Sequence, residues 1–259
     1  MNRIKEVLEG VYSNPELRKS IIPLFIGNPG LSKTVQIEEF AREKGVKLVT
    51  LITSQLSPME VSGLIMPNRD TRTIEYYDSE SLLSLRDGDI LFLDEILNGS
   101  PIVLAAMLTL LASRTMISGK PLPDVTIIAA ANPQGMMPLT PQIKERFVWY
   151  DIKFQEEMWI NFMIKKYGIT YTIGQKLSKL IKDEIFTSNN FNTPRSLDKA
   201  VGMITNEVYT PYETSVRFIL EELITNTTEK ELTLRNGEIL GINESMTWLD
   251  VYKKNKKIK

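Results

Sequence analysis

The 259-residue sequence contains no cysteine and no histidine. Without thiols there is no disulfide and no thiolate nucleophile, and without imidazole there is no serine-histidine triad and no ordinary transition-metal centre. Any metal must be held by oxygen, which points to magnesium or calcium, and any general base must be a carboxylate or a lysine. An excess of charge is missing too. Lysine and arginine number 31 against 32 acidic residues, a formal net charge of −1, so no global positive field draws the chain to nucleic acid or to anionic lipid. The one basic cluster, KKNKKIK at residues 253–259, reads as a solvated end. No apolar run approaches the roughly 20 residues of a membrane span. The first ten residues, MNRIKEVLEG, alternate charged and apolar groups like an amphipathic helix and lack a signal-peptide core, so a cytoplasmic location without membrane contact is expected. There is no internal repeat and no low-complexity segment.

What is present is an ordinary globular composition, 42% hydrophobic and 24% charged, in a chain long enough for one sizeable domain and a smaller one. Five short apolar runs read as buried strands: IIPLFI (21–26), KLVTLIT (47–53), DILFLD (89–94), VTIIAAA (125–131) and VWYDIKF (148–154). Helical patterns lie between them, notably VQIEEFAREK and PIVLAAMLTLLAS. This alternation predicts an α/β domain over 1–154, a parallel five-stranded sheet between helices, with ligands at the carboxyl ends of the strands. Residues 155–225 read as helices, as in EEMWINFMIKKYG, IGQKLSKLIKDEIF and PRSLDKAVGMITNEV, and form a second, helical domain; 226–259 is an extension of undefined structure. Two stretches interrupt the alternation. GLIMPNRDTRTIEYYDS (63–79) predicts a hairpin, and MISGKPLPD (116–124) a turn. LTLRNGEILGI suggests a hairpin around Asn236-Gly237.

Chemistry enters with GNPGLSKT, Gly27 to Thr34, between the first strand and a helix. That context suits a phosphate-binding loop: backbone N–H groups face phosphates, Lys33 reaches the β and γ phosphates, and the Thr34 hydroxyl ligates magnesium. The pattern GxxxxGK[ST] asks for glycine where this chain has Ser32. Serine suits a helix start and could supply a hydrogen bond, but its Cβ crowds a close backbone approach. A Gly/Pro turn before an ordinary helix is the plain alternative. DILFLDEI ends a strand in Asp94-Glu95, one carboxylate to hold magnesium and the next to polarise a water. Two acids at a strand end can also be a solvated turn. Asn132 closes the fourth strand and could contact that water or the γ phosphate; Asn-Pro alone is a turn signal.

GNPGLSKT, ILFLDEI, IAAANP, PQIKERF and NTPRSL occur in the order and approximate spacing of a AAA+ ATPase, and the sequence resembles the MoxR-like branch of that family over residues 21–200. The resemblance implies a P-loop NTPase fold of AAA+ type followed by a helical lid, with ATP and Mg2+ as ligands. It implies a Walker A loop made of Gly27, Asn28, Pro29, Gly30, Leu31, Ser32, Lys33 and Thr34, a Walker B pair Asp94 and Glu95, and a sensor 1 residue, Asn132. It implies an arginine finger, Arg146, received by a ring neighbour, and a sensor 2 residue, Arg195, in the lid. Ser32 and Glu145 depart from the family's glycine and aspartate. Further implications are ATP hydrolysis, a homo-oligomeric ring, expected to be hexameric, and work as a chaperone-like remodeller or activator of a client protein, with a von Willebrand A-type partner. By the same resemblance the two inserted stretches face the ring's pore, making Arg69, Arg72, Tyr76 and Tyr77 candidate client contacts; a surface hairpin packed on the core is the alternative. Two other functions stand beside this one: a nucleic-acid motor, as in related ring-forming branches, and a nucleotide-binding scaffold with little turnover.

Overall fold

The computed structural model describes residues 3–133, 141–182, 193–205, 231–233 and 239–241. They fall into two compact units. The first comprises residues 1–28 and 32–153, and the second residues 29–31 and 154–259. Among the described residues no helix is long and apolar enough to cross a membrane.

The first unit is built on a five-stranded sheet. Its strands are β1 (Pro23–Ile26), β2 (Leu48–Ile52), β5 (Ile90–Asp94), β6 (Thr126–Ala131) and β7 (Val148–Asp151), in the order β2-β5-β6-β1-β7. Every pairing is parallel. The central strands β5 and β6 are apolar almost throughout and buried on both faces, as a parallel sheet covered by helices requires. The outer strand β7 is largely exposed. The first strand is shorter than the apolar run that contains it: Ile21 and Ile22 lead into β1 without joining it, and Lys153-Phe154 lie beyond β7. Asp89 sets the register at the entrance to β5. Its carboxylate accepts from the backbone N–H of Lys47 (3.0 Å) and of Arg86 (2.8 Å).

Helix α1 (Arg3–Ser13) is the amphipathic N-terminal segment, with Ile4, Leu8 and Val11 buried. Helix α2 (Pro15–Ser20) starts where the Asn14 side chain caps Glu16 and Leu17. Helix α3 (Lys33–Lys44) follows β1 and ends at Gly45, which takes the left-handed conformation (φ 68°) that glycine adopts without cost. Its carboxyl half is tied to α1 by Lys5–Glu43 and Lys44–Glu9, each 2.6 Å, and by the edge-to-face contact of Tyr12 with Phe40. Helix α6 (Pro101–Ser113) follows β5; Ser100 caps it by accepting from Val103, and Pro101 occupies its first turn.

Between β2 and β5 the chain forms a short helix α4 (Pro58–Ser62), an antiparallel hairpin of β3 (Leu64–Asn68) and β4 (Thr73–Tyr77), and a short helix α5 (Glu80–Leu83). The Asn68 side chain organises the hairpin turn by accepting from the N–H groups of Asp70 and Thr71. Asp78, at the hairpin's foot, has a side chain only 2% exposed. It accepts from the backbone N–H (3.2 Å) and the hydroxyl (2.6 Å) of Ser118, in the second interrupting stretch, which folds as a turn closed by a bridge between Thr115 and Pro121. The two stretches are thus joined. Asp78→Ala leaves these donors without their acceptor and is expected to cost about 1–3 kcal/mol. It should also raise hydrogen exchange in residues 64–77 and 116–120 together; exchange unchanged in either segment would show that Asp78 does not join them.

In the second unit, α8 (Glu156–Tyr167), α9 (Tyr171–Lys182) and α10 (Pro194–Thr205) surround a core of Trp159, Ile160, Met163, Ile173, Leu177, Leu197 and Val201. Lys182 and Ser178 donate to the Glu156 carboxylate, which lowers its pKa and pins α9 to α8. The Tyr167 hydroxyl and Lys166 both reach Asp198 of α10. A small antiparallel pair, β8 (Glu231–Thr233) and β9 (Ile239–Gly241), falls in the C-terminal segment. The turn expected at Asn236-Gly237, the expected helical continuations past Lys182 and Thr205, and the basic tail lie outside the described residues.

Candidate active site

Strand order makes the site. Because β6 lies between β1 and β5, the loop after β1, the acids ending β5 and the asparagine following β6 emerge side by side at the carboxyl edge of the sheet. The loop is anchored by Gly27, whose N–H donates to the Ala131 carbonyl (3.2 Å). Lys33 opens α3 and is buried. Its Nζ donates to the carbonyls of Gly27 (2.6 Å) and Asn28 (3.2 Å) and to Oδ1 of Asn132 (3.0 Å). The lysine side chain therefore joins the residues that follow β1 and β6. With its oxygen on Lys33, the Asn132 amide is left with its NH2 turned the other way, a donor facing away from the lysine.

Thr34, next along α3, donates its hydroxyl to Oδ2 of Asp94 (2.9 Å). A hydroxyl and a carboxylate held together in this way are hard oxygen donors suited to magnesium, which keeps most of its remaining ligands as water and phosphate. The residues present fit that ion. Oδ1 of the same Asp94 accepts from the Glu95 N–H (2.9 Å). Glu95 itself adopts a left-handed backbone (φ 54°, ψ 35°), unusual for a residue with a Cβ. This turn swings its carboxylate out of line with β5, where Oε2 accepts a hydrogen bond from the Ser54 hydroxyl. Ser54 was not anticipated from sequence. Its placement follows from β2 pairing with β5, which puts Ile52 opposite Asp94 and the TSQ turn opposite Glu95; a polar residue just past a strand that neighbours the acidic pair was the available signal.

Ser32 lies at the N-cap of α3 with φ 57° and ψ 25°, and its side chain makes no capping hydrogen bond. The possible benefit of serine at a helix start is therefore not realised. The cost is conformational, since a left-handed L-residue is roughly 1–2 kcal/mol less favourable than glycine there. Ser32→Gly is accordingly expected to raise unfolding stability by about 1 kcal/mol in urea denaturation without slowing turnover; reduced stability would mean that the serine supplies a contact this geometry lacks.

Asn28 is exposed, and Gly30 is left-handed at φ 87°. Pro29–Leu31 belong to the second unit. Within that unit a Cβ on Gly30 would lie 2.9 Å from the backbone N and 3.0 Å from the Cβ of Arg195, so this place admits only glycine. Arg195 is the second residue of α10 and is exposed. Arg146 stands in the turn after the short helix α7 (Pro141–Lys144), exposed, and among the described residues no ion pair holds it. The structure thus gathers Lys33, Thr34, Asp94, Glu95 and Asn132 at one edge of the sheet; Arg146 is not among the groups hydrogen-bonded there.

Residues 23–147 match the family model for the AAA domain of the dynein-related subfamily. Among curated proteins none matches the sequence. Solved structures with a similar fold include the RuvB Holliday junction branch migration motor of Thermotoga maritima, with a TM-score of 0.57, 17% identity, and coverage of 85% of this chain and 70% of that one. Two mutant forms of the same RuvB give TM-scores of 0.57 and 0.58 at 15% identity; this chain covers 64% of the first and 70% of the second, and 84% and 85% of its own length is matched. In the first of them, the match thus spans less than two thirds of the RuvB chain. Sheet order, loop and paired carboxylates agree with these similarities, and the fold is the P-loop AAA+ fold.

Proposed function

We propose that this protein binds Mg-ATP, hydrolyses it, and uses the cycle in a homo-oligomeric, hexameric ring to remodel or activate a client protein, in the manner of the MoxR-like branch. The observation that carries the proposal is the cluster Lys33–Asn132 and Thr34–Asp94–Glu95, whose hydrogen bonds join the start of α3 to the ends of β5 and β6. Bound magnesium would neutralise phosphate charge, held by Thr34 and Asp94. Lys33 releases its carbonyl partners to meet the β and γ phosphates, and Asn132 orients the attacking water with its NH2. Glu95 accepts that water's proton, and the Ser54 hydroxyl, which bonds Oε2, leaves the carboxylate its second oxygen for that role. Arg146 completes the site of a neighbouring copy, and Arg195 contacts nucleotide in its own subunit. A von Willebrand A-type protein is the expected partner beside the client.

A protein client is favoured by the β3–β4 hairpin, whose Leu64, Ile65, Met66, Ile74, Tyr76 and Tyr77 are all exposed. Apolar and aromatic side chains on both faces of a two-stranded ribbon suit extended polypeptide better than a phosphate backbone. The likeness in fold to a branch migration motor supports a second reading, a nucleic-acid motor. Measuring ATPase rate against protein concentration, with and without duplex DNA, separates them. The proposal expects a rate that rises with assembly and ignores DNA. DNA stimulation lost in Arg69→Ala/Arg72→Ala and weakened by salt would install the motor instead, and tight ATP binding without turnover at any concentration would leave a nucleotide-binding scaffold.

A further inference from the structure

Trp149 is an exposed tryptophan on an outer strand, 42% accessible, beside Val148 at 41%. Its indole N–H nevertheless has a definite partner, donating to the Lys144 carbonyl at 3.1 Å. The same carbonyl accepts the Phe147 N–H at 3.3 Å. Between the accepting carbonyl of Lys144 and the Phe147 donor lies the turn of Glu145 and Arg146. Phe147 is 5% exposed and anchors the turn to the core of the first unit, while the backbone of Trp149 is fixed in register opposite Leu24 of β1. The turn is thus held on one side by a buried ring and on the other by an indole, and Arg146 projects from its middle with no ion pair among the described residues to steer it.

We propose that Trp149 is the positioning residue for Arg146: its indole N–H fixes the Lys144–Phe147 turn so that the guanidinium is presented to a neighbouring copy's nucleotide. This rests on the assignment of Arg146 as a finger acting between subunits. Trp149 touches no reacting atom. Its contribution lies in cutting the number of turn geometries from which Arg146 must find the phosphate, an effect of orientation.

The test uses the full chain as wild type, Arg146→Ala, Trp149→Phe and Trp149→Ala. Trp149→Phe keeps a ring on the strand but removes the donor. Loss of one hydrogen bond of ordinary strength predicts a fall in kcat of up to about tenfold, with ATP affinity unchanged and only a small fall in the unfolding midpoint; Trp149→Ala should fall further. Trp149→Ala subunits should regain activity when mixed with Glu95→Gln subunits, which cannot hydrolyse but present a well-placed Arg146; a subunit damaged in its own nucleotide site or misfolded would gain nothing. If Arg146→Ala abolishes hydrolysis while Trp149→Phe stays within twofold of wild type, the positioning role is wrong and the finger stands. If Arg146→Ala hydrolyses normally, the finger assignment itself fails.

Discussion

Glu95→Gln is expected to lower ATP hydrolysis by about a hundredfold or more, the range a general base contributes, while ATP binding is retained. The substitution is nearly isosteric, and the amide oxygen can still accept from Ser54, so the left-handed turn at residue 95 has no new reason to rearrange. What is lost is the negative charge and proton affinity of the carboxylate. Binding should survive because Lys33, Thr34 and Asp94 keep their positions: Lys33 is held by Asn132 and two loop carbonyls, and Thr34 by Asp94. Equilibrium binding of a fluorescent ATP analogue and steady-state phosphate release check the two halves separately. Lys33→Ala is the informative contrast, since it should lose binding itself. A Glu95→Gln protein that releases phosphate at the parental rate would remove Glu95 from the chemistry, and the Ser54 contact would then be a surface hydrogen bond.

The parts of this fold that were legible in the sequence are those where burial is complete. β5 and β6 are apolar on both faces, so DILFLD and VTIIAAA could be read as buried strands without knowing their neighbours. Helix α6 was readable to the residue, because Ser100 and Pro101 mark its start. The outer strand β7 was read too long, since VWYDIKF stays rich in bulky residues after the pairing with β1 has ended at Asp151. Helices α2, α4 and α5 escaped notice. Each is four to six residues, too short for a periodicity to show, and the polar residues at their starts look like turn residues.

Within the site, the residue types were readable but their meeting was not. Nothing local places Asn132 beside Lys33; that follows from β6 entering the sheet between β1 and β5. The left-handed turns at Ser32 and Glu95 were also hidden, because neither residue is glycine. Their positions are informative in themselves: one strained residue immediately precedes the lysine and the other is the expected general base itself, where strain can be kept because the surrounding structure determines the backbone. At Ser32 what the structure shows is a conformational cost at the start of α3.

Arg146→Ala is expected to produce the larger loss, about a thousandfold or more in kcat, by analogy with guanidinium groups that stabilise phosphoryl-transfer transition states. Charge builds on the γ-phosphoryl oxygens as the bond to the leaving group lengthens, and a guanidinium can bind two of those oxygens at once. Supply from another subunit would require an Arg146 that is accessible, and it is exposed, two residues past the end of α7, and is not among the groups hydrogen-bonded around Lys33 and Asp94. The decisive measurement is complementation. Arg146→Ala subunits keep Glu95 but cannot serve a neighbour, whereas Glu95→Gln subunits can serve a neighbour but cannot hydrolyse. Alone, each should be nearly inactive. Mixed, some sites pair an intact Glu95 with an intact Arg146, and activity should return to a fraction set by the mixing ratio. If the mixture stays as inactive as its parts although the subunits co-assemble, both residues act within one subunit, and hydrolysis would not depend on the neighbour. If Arg146→Ala alone remains active at every protein concentration, the guanidinium is a surface group and the dependence on assembly must be sought elsewhere.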